Sequence, residues 1–309
     1  MFNPIFYKPL SFLLIICSGY LLKRCGFFQK DDYKILSKIV LTFTMPCAVI
    51  GTFAGFERDA SLFWIVLIGF ICSLLPMLAV YLLSFGQETD RRVFSMINTS
   101  GYGIGCFSLP LIQGFYGAYS GVITCMFDTG NAVMMTGGSY AITSSLLHLE
   151  NEGKRKGAWK ETVRKFVTSV PFDTYMLMLV LTALNIRVPD IVAGIAAPIG
   201  AANPYLAMLI VGMMYEPPKK AEYKKDTMTV LLRRFLISAV FALLMFYFTP
   251  FSLEVRRTLV VLAFSPVSTL APIYTEKCHG DGALSSFTNA VSILLALFEM
   301  SFLVYIMGV

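Results

Sequence analysis

The chain has 309 residues, of which 56% are hydrophobic and 14% charged, with a mean hydropathy of +0.69. A single water-soluble core cannot hide that much apolar surface, so the composition excludes a soluble domain and points to an integral membrane protein. The net charge of +6 comes from basic residues in short loops between apolar stretches, a pattern that sets topology and does not point to nucleic acid.

A membrane-spanning helix needs about 20 mostly apolar residues. Ten stretches meet that need, at roughly 5–22, 34–55, 61–84, 93–117, 119–147, 170–186, 189–215, 229–249, 257–276 and 282–307. No small-residue cleavage site follows the first, so it is read as a retained span and not as a signal peptide. The loops are short except for two charged ones near 148–168 and 216–228, which leaves no room for a soluble domain. Loops on one side hold 17 Lys and Arg against 5 on the other, so the richer side is cytoplasmic and both termini face outward from the cell membrane. Lys38, Arg233 and Arg234 fall near predicted span ends.

Seven cysteines lie scattered, mostly in the apolar stretches, without a CxxC pair, and His148 and His279 sit at span ends with no further ligands nearby. We expect no disulfide framework, no metal site and no cofactor.

The fourth span, from Asn98 to Gly117, reads NTSGYGIGCFSLPLIQGFYG, with five glycines and Pro110 interrupting an apolar run. The ninth is interrupted by Pro266 and Pro272. Glycine loosens a helix and proline removes an N–H, so backbone groups are freed that lipid cannot satisfy. Paired interruptions in matching halves point to a transporter's binding site. The halves also match in register: Pro46 precedes Pro204 by 158 residues, Pro110 precedes Pro272 by 162, and Gly117 precedes Gly280 by 163. Five spans per half is an odd number, so the second half enters from the opposite side and the repeat is inverted.

The segments GYLLKRCGFFQKDDYKILSKIVLTFTMPCAVI, NTSGYGIGCFSLPLIQGFYG, FDTGN and SPVSTLAPIYTEKCHGD together resemble the auxin efflux carrier family, which joins plant auxin carriers to bacterial malate and malonate permease-like proteins. The chain has no long hydrophilic central loop and so resembles the compact bacterial members. The resemblance implies an all-α membrane fold related to bile-acid and sodium/proton transporters. Ten helices would form two inverted five-helix repeats, at 1–147 and 169–309 around a cytoplasmic loop at 148–168. A scaffold domain would carry a homodimer contact, and in a transport domain the fourth and ninth helices would cross where they unwind. Ser265 and the run GIGCFSLP depart from the family pattern and bear on the substrate more than on the fold.

At such a crossing Pro110 and Pro272 are expected to leave backbone groups unpaired, and half-helix N-termini favour an anion such as a carboxylate. Asn98, Tyr102, Ser108, Ser268 and Thr269 would add side-chain hydrogen bonds there; the bland alternative is that the prolines only kink packed helices. Asp128 and Asn131 share a helix face with Thr124. An acid at membrane depth costs on the order of 3 kcal/mol, which calls for a compensating role. Three are open to Asp128, namely carrying a coupling proton, helping to bind sodium, or holding unwound backbone in place. Ser285, Asn289, Ser292 and Glu299 form a second polar line in the last span. Asn289 and Ser292 belong near the crossing, Asn289 as a substrate position and Ser292, with Asp128 and Asn131, as an ion-coupling position, while Glu299 lies toward the outer end. Lys38 is read as snorkelling to the cytoplasmic surface.

No HExxH, GxSxG or P-loop motif occurs, so the chain is not read as an enzyme or an ATPase. The expectation is a secondary transporter for a small organic anion, with alternating access by an elevator-type movement and with proton, sodium or neither as the coupling ion. The other class is a membrane receptor or partner-dependent permease subunit that binds a carboxylate without transporting it.

Overall fold

The computed structural model describes residues 7–54, 60–149, 164, 169–215 and 222–308, and every regular element among them is helical. Helix α1 covers Tyr7–Arg24, α2 Tyr33–Phe53 and α3 Trp64–Leu83. The next stretch is broken into α4, Thr89–Thr99, and α5, Ile104–Tyr116, and is followed by α6, Ala118–Val133, and α7, Ser139–Leu146. The second half holds α8 Val170–Ala183, α9 Asp190–Ala201, α10 Asn203–Met214 and α11 Glu222–Phe248. It ends with α12 Leu253–Ala263, α13 Ala271–Lys277 and α14 Gly282–Met307. Among the described residues, five stretches are long and apolar enough to cross a membrane: α2, α3, α9 with α10, α11 and α14. The charged loop expected at 148–168 lies outside the described residues apart from His148, Leu149 and Arg164.

Two sequence expectations shift. Pro110 does not break its helix. The turns at Val40–Thr44 and Ile104–Ser108 are wound more widely than an α-helix, and each leads directly into a helical segment with proline in its first two positions, Pro46 and Pro110. The wider turn accommodates the missing N–H and the bulk of the ring against the preceding carbonyls. The real break is at Ser100–Gly103, where Gly101 takes φ +68°. The other shift is in α11, which starts at Glu222 and not near 229, so that Arg234 lies about 18 Å along the helix at 1.5 Å per residue. His148 and His279, with φ of 51° and 64°, follow α7 and α13 in left-handed conformations that end those helices.

The helices gather in two groups. In one, α1 lies along α10, and α2 packs on α8 and α9. In the other, α3 lies along α6, α11 packs on α12, and α13 packs on α14. Where α6 and the first turn of α5 meet α2, α8 and α10, the two groups touch. Lipid tails give helices no hydrophobic reason to associate, so close packing of small residues holds each group together. A Cβ on Gly130 of α6 would collide with the Val66 carbonyl of α3, and one on Gly69 of α3 with the Phe127 carbonyl of α6. The same reciprocal arrangement joins α1 and α10, where Gly19 faces the Leu209 carbonyl and Gly212 the Ile16 carbonyl.

Gly130→Leu or Gly212→Leu will therefore force its helix pair apart, whereas exposed Gly194, with nothing within 4 Å of an added Cβ, will accept leucine. We expect the first two variants to lose roughly 1–3 kcal/mol or more of stability and Gly194→Leu to match the parent, as read by thermal melting of the detergent-purified protein.

Candidate functional site

At the first break, α4 stops at Thr99 and the chain leaves the helix from Ser100 to Gly103 before α5 begins. The freed peptide of Tyr102 is held by one side chain. Asn131 of α6 accepts from the Tyr102 N–H at 2.9 Å and donates to the Tyr102 carbonyl at 2.9 Å. Its other donor reaches Asp128 Oδ1 at 2.8 Å, and its oxygen also accepts from Ser73 Oγ of α3 at 2.9 Å. With two bonds donated and two accepted, the amide is saturated. Asp128 Oδ2 accepts from the Tyr175 hydroxyl of α8 at 2.7 Å, so both carboxylate oxygens are engaged. That last bond crosses between the two helix groups, because Asp128 lies on α6 and Tyr175 on α8.

The second break, Phe264–Leu270, is held in the same manner. Asn289 of α14 donates to the Val267 and Ser268 carbonyls at 2.7 and 3.1 Å. Ser292 accepts from the Val267 N–H at 3.0 Å and donates to the Asn289 carbonyl at 2.7 Å. One asparagine per half thus substitutes for the helical partners that each break removes.

The two breaks meet. The Gly103 N–H donates to the Pro266 carbonyl at 2.9 Å, and Ser108 donates to Ser265 Oγ at 2.8 Å. Asn98 on the last turn of α4 donates to the Phe94 carbonyl and to Thr275 Oγ1 of α13, and it accepts from Ser285 of α14 at 2.6 Å. Arg234 enters from α11 and bridges both breaks. Its Nη1 donates to the carbonyls of Asn98, Thr99 and Gly101 at 3.3, 2.9 and 3.1 Å, and its Nη2 to those of Ser265 and Pro266 at 3.1 and 3.4 Å. The guanidinium carbon lies 4.9 Å from the centre of the Tyr102 ring. A carbonyl-rich helix end carries partial negative charge, and here one cation faces two such ends.

Of the residues singled out from sequence, the structure brings Asn98, Tyr102, Asn131 and Asp128 together at the first break and Ser268, Asn289 and Ser292 at the second. Ser108 lies at the contact between the two. Pro110 is buried in α5 just after its wide first turn and Pro272 in the first turn of α13, and Thr269 is half-buried at the second break. Lys38 is exposed and stands apart. Glu299 shares a cavity of about 20 Å³ with Arg234, Ser265 and Ser292, so it looks toward the crossing as well as onto an apolar groove of about 780 Å³ between α1 and α14. Sequence reasoning missed Arg234, Tyr175 and Ser73. A cation set well inside an apolar helix was the available signal for Arg234, hidden by a span placed too late; nothing local marked Tyr175 or Ser73.

Asn131→Leu strands the Tyr102 carbonyl and N–H and one Asp128 oxygen, and Asn289→Leu strands the Val267 and Ser268 carbonyls. We expect each to cost about 1–3 kcal/mol per stranded group, against roughly 0.5–1.5 kcal/mol for Ser73→Ala, in melting of the purified protein.

No curated protein matches the chain. The family described as "Membrane transport protein" matches residues 4–165, slightly more than half of the chain, including the first break with Asn131 and Asp128, and the chain belongs to this family, that of the auxin efflux carriers.

Proposed function

We propose that the protein is a secondary transporter of a small organic anion carrying a carboxylate, built as ten membrane helices in two inverted five-helix repeats with both termini extracytoplasmic. In this reading, the group containing α3 to α7 and α11 to α14 moves as a transport domain against a scaffold of α1, α2 and α8 to α10, through which two copies pair. The observation that carries the reading is the meeting of two broken helices, joined by the Gly103 to Pro266 hydrogen bond, close to the boundary between the helix groups. Non-helical backbone at membrane depth is tolerated where protein or a cavity surrounds it, and in transporters such breaks form the substrate site.

We place the carboxylate near the start of α5, whose first N–H groups have no intrahelical partner and carry partial positive charge. Ser108 and Pro110 lie in the first turns of that helix, and Ser268, Thr269 and Pro272 lead into α13. Asn98, Tyr102 and Asn289 shape the crossing. Of the three roles open to Asp128, the clamp is favoured: both of its oxygens already accept hydrogen bonds, and it steadies Asn131, which holds Tyr102. Ser292 does the same for Val267. The carrier then needs no proton on Asp128, and the anion follows its own gradient and the membrane potential.

The test is uptake of labelled malate, malonate and indole-3-acetate into liposomes holding the purified protein, with pH, sodium and voltage gradients imposed one at a time. Saturable uptake of at least one acid is expected. Asp128→Asn places an amide donor against Asn131 or Tyr175, so we expect a rate lower by about tenfold with unchanged dependence on the pH gradient, given that a hydrogen bond to a charged group contributes about 1.5–3 kcal/mol. A variant that loses its response to the pH gradient would make Asp128 the proton carrier instead. Binding of an acid without flux would favour a receptor or permease subunit.

A further inference from the structure

The hydrogen-bond acceptors of Arg234 are all carbonyl oxygens: five of them, from two chain breaks, lie 2.9 to 3.4 Å from its terminal nitrogens, with the Tyr102 ring on one side and Glu299 across a small cavity. Among the described residues no carboxylate comes within ion-pairing distance of it, and the residue is 8% exposed. Several backbone carbonyls converging where helices end at membrane depth form the kind of oxygen cluster that takes a hard free cation. An arginine inside a membrane helix is costly to insert, so its place here calls for a compensating role.

We propose that Arg234 is a tethered cation: its guanidinium permanently fills the carbonyl cluster that a free coupling ion would otherwise occupy, so the carrier works without sodium. The proposal rests on the transport reading above and adds the identity of the charge that balances the two helix ends. Two simpler roles fit less well. A substrate-binding arginine would keep terminal N–H groups for the anion, yet four terminal hydrogens already serve five carbonyls. The cavity beside it, about 20 Å³, has room for about one water and not for a carboxylate or a second cation. A mere packing brace would need bulk and no charge, whereas the hydrogen bonds of Arg234 are all charge-assisted bonds to carbonyls at the two breaks, of which only that of Pro266 also accepts a backbone N–H, from Gly103. Arg234 is thus a positioning residue that keeps the breaks of α4/α5 and α12/α13 together.

The experiment compares the parent with Arg234→Ala and Arg234→Lys, using the labelled acids above and thermal melting in detergent. For the parent, replacing all sodium by choline should leave both uptake and melting unchanged. Arg234→Ala should lose about tenfold or more of its uptake, and millimolar guanidinium, but not urea at the same concentration, should restore part of the uptake and raise the melting temperature. Arg234→Lys, a cation with a shorter reach and no planar fork, should fall between the two. Sodium-dependent uptake by the parent would overturn the proposal, as would an Arg234→Ala protein that melts and transports like the parent or responds to no cation. If Arg234→Ala does not fold, the parent's sodium response and the Arg234→Lys protein still decide. If the parent moves none of the three acids, the transport reading falls, and the melting response to guanidinium alone decides the tethered-cation site.

Discussion

A peptide group that leaves a helix at membrane depth must find its partner within the protein, because lipid offers none. Everything distinctive about this molecule follows from meeting that requirement twice, at Ser100–Gly103 and at Phe264–Leu270. Asn131 and Asn289 meet it with side-chain amides that imitate a missing helical turn. Arg234 meets it for five further carbonyls at once. Each of these side chains is itself costly to bury, and each becomes tolerable only because the breaks leave groups for it to pair with. The breaks and their clamps are therefore interdependent, and neither is stable without the other.

The clamps also connect the site to the rest of the fold. Asn131 is steadied by Ser73 on α3 and by Asp128, and Asp128 is joined to Tyr175 on the other helix group. A movement of one group against the other must break the Tyr175 bond while leaving the Asn131 bonds intact, since Asn131 and Tyr102 belong to the same group. The reciprocal glycine contacts of α3 with α6 and of α1 with α10 suit this division, for they stiffen each group internally.

Charge placement follows the same logic. Two carbonyl-rich ends face Arg234, while the N-terminal turn of α5 keeps its partial positive charge. The anion site proposed above would then need no cationic side chain that binds the carboxylate directly. Glu299 and Arg234 line one small cavity, so the acid that looked peripheral in α14 belongs to the surroundings of this cation.

Much of this is legible in the residues. Hydropathy alone marks the membrane class, because each helix must bury a long apolar face in lipid whatever its neighbours are. The glycines of GYGIGC and the prolines of SPVSTLAP announce broken helices, and Asp128, Asn131, Asn289 and Ser292 stand out because polar side chains at that depth need a reason. Pro110 points to a first break several residues beyond the real one: a proline shows that a helical bond is lost, but whether the chain widens a turn or leaves the helix depends on neighbouring elements. Arg234 and Tyr175 show the limit most clearly. Arg234 binds carbonyls between 31 and 136 residues away in the chain, and Tyr175 meets an acid 47 residues away. Local composition determined which backbone would open; only the tertiary structure decided which side chains close around it, because a hydrogen bond is formed by proximity in space and the sequence records order along the chain.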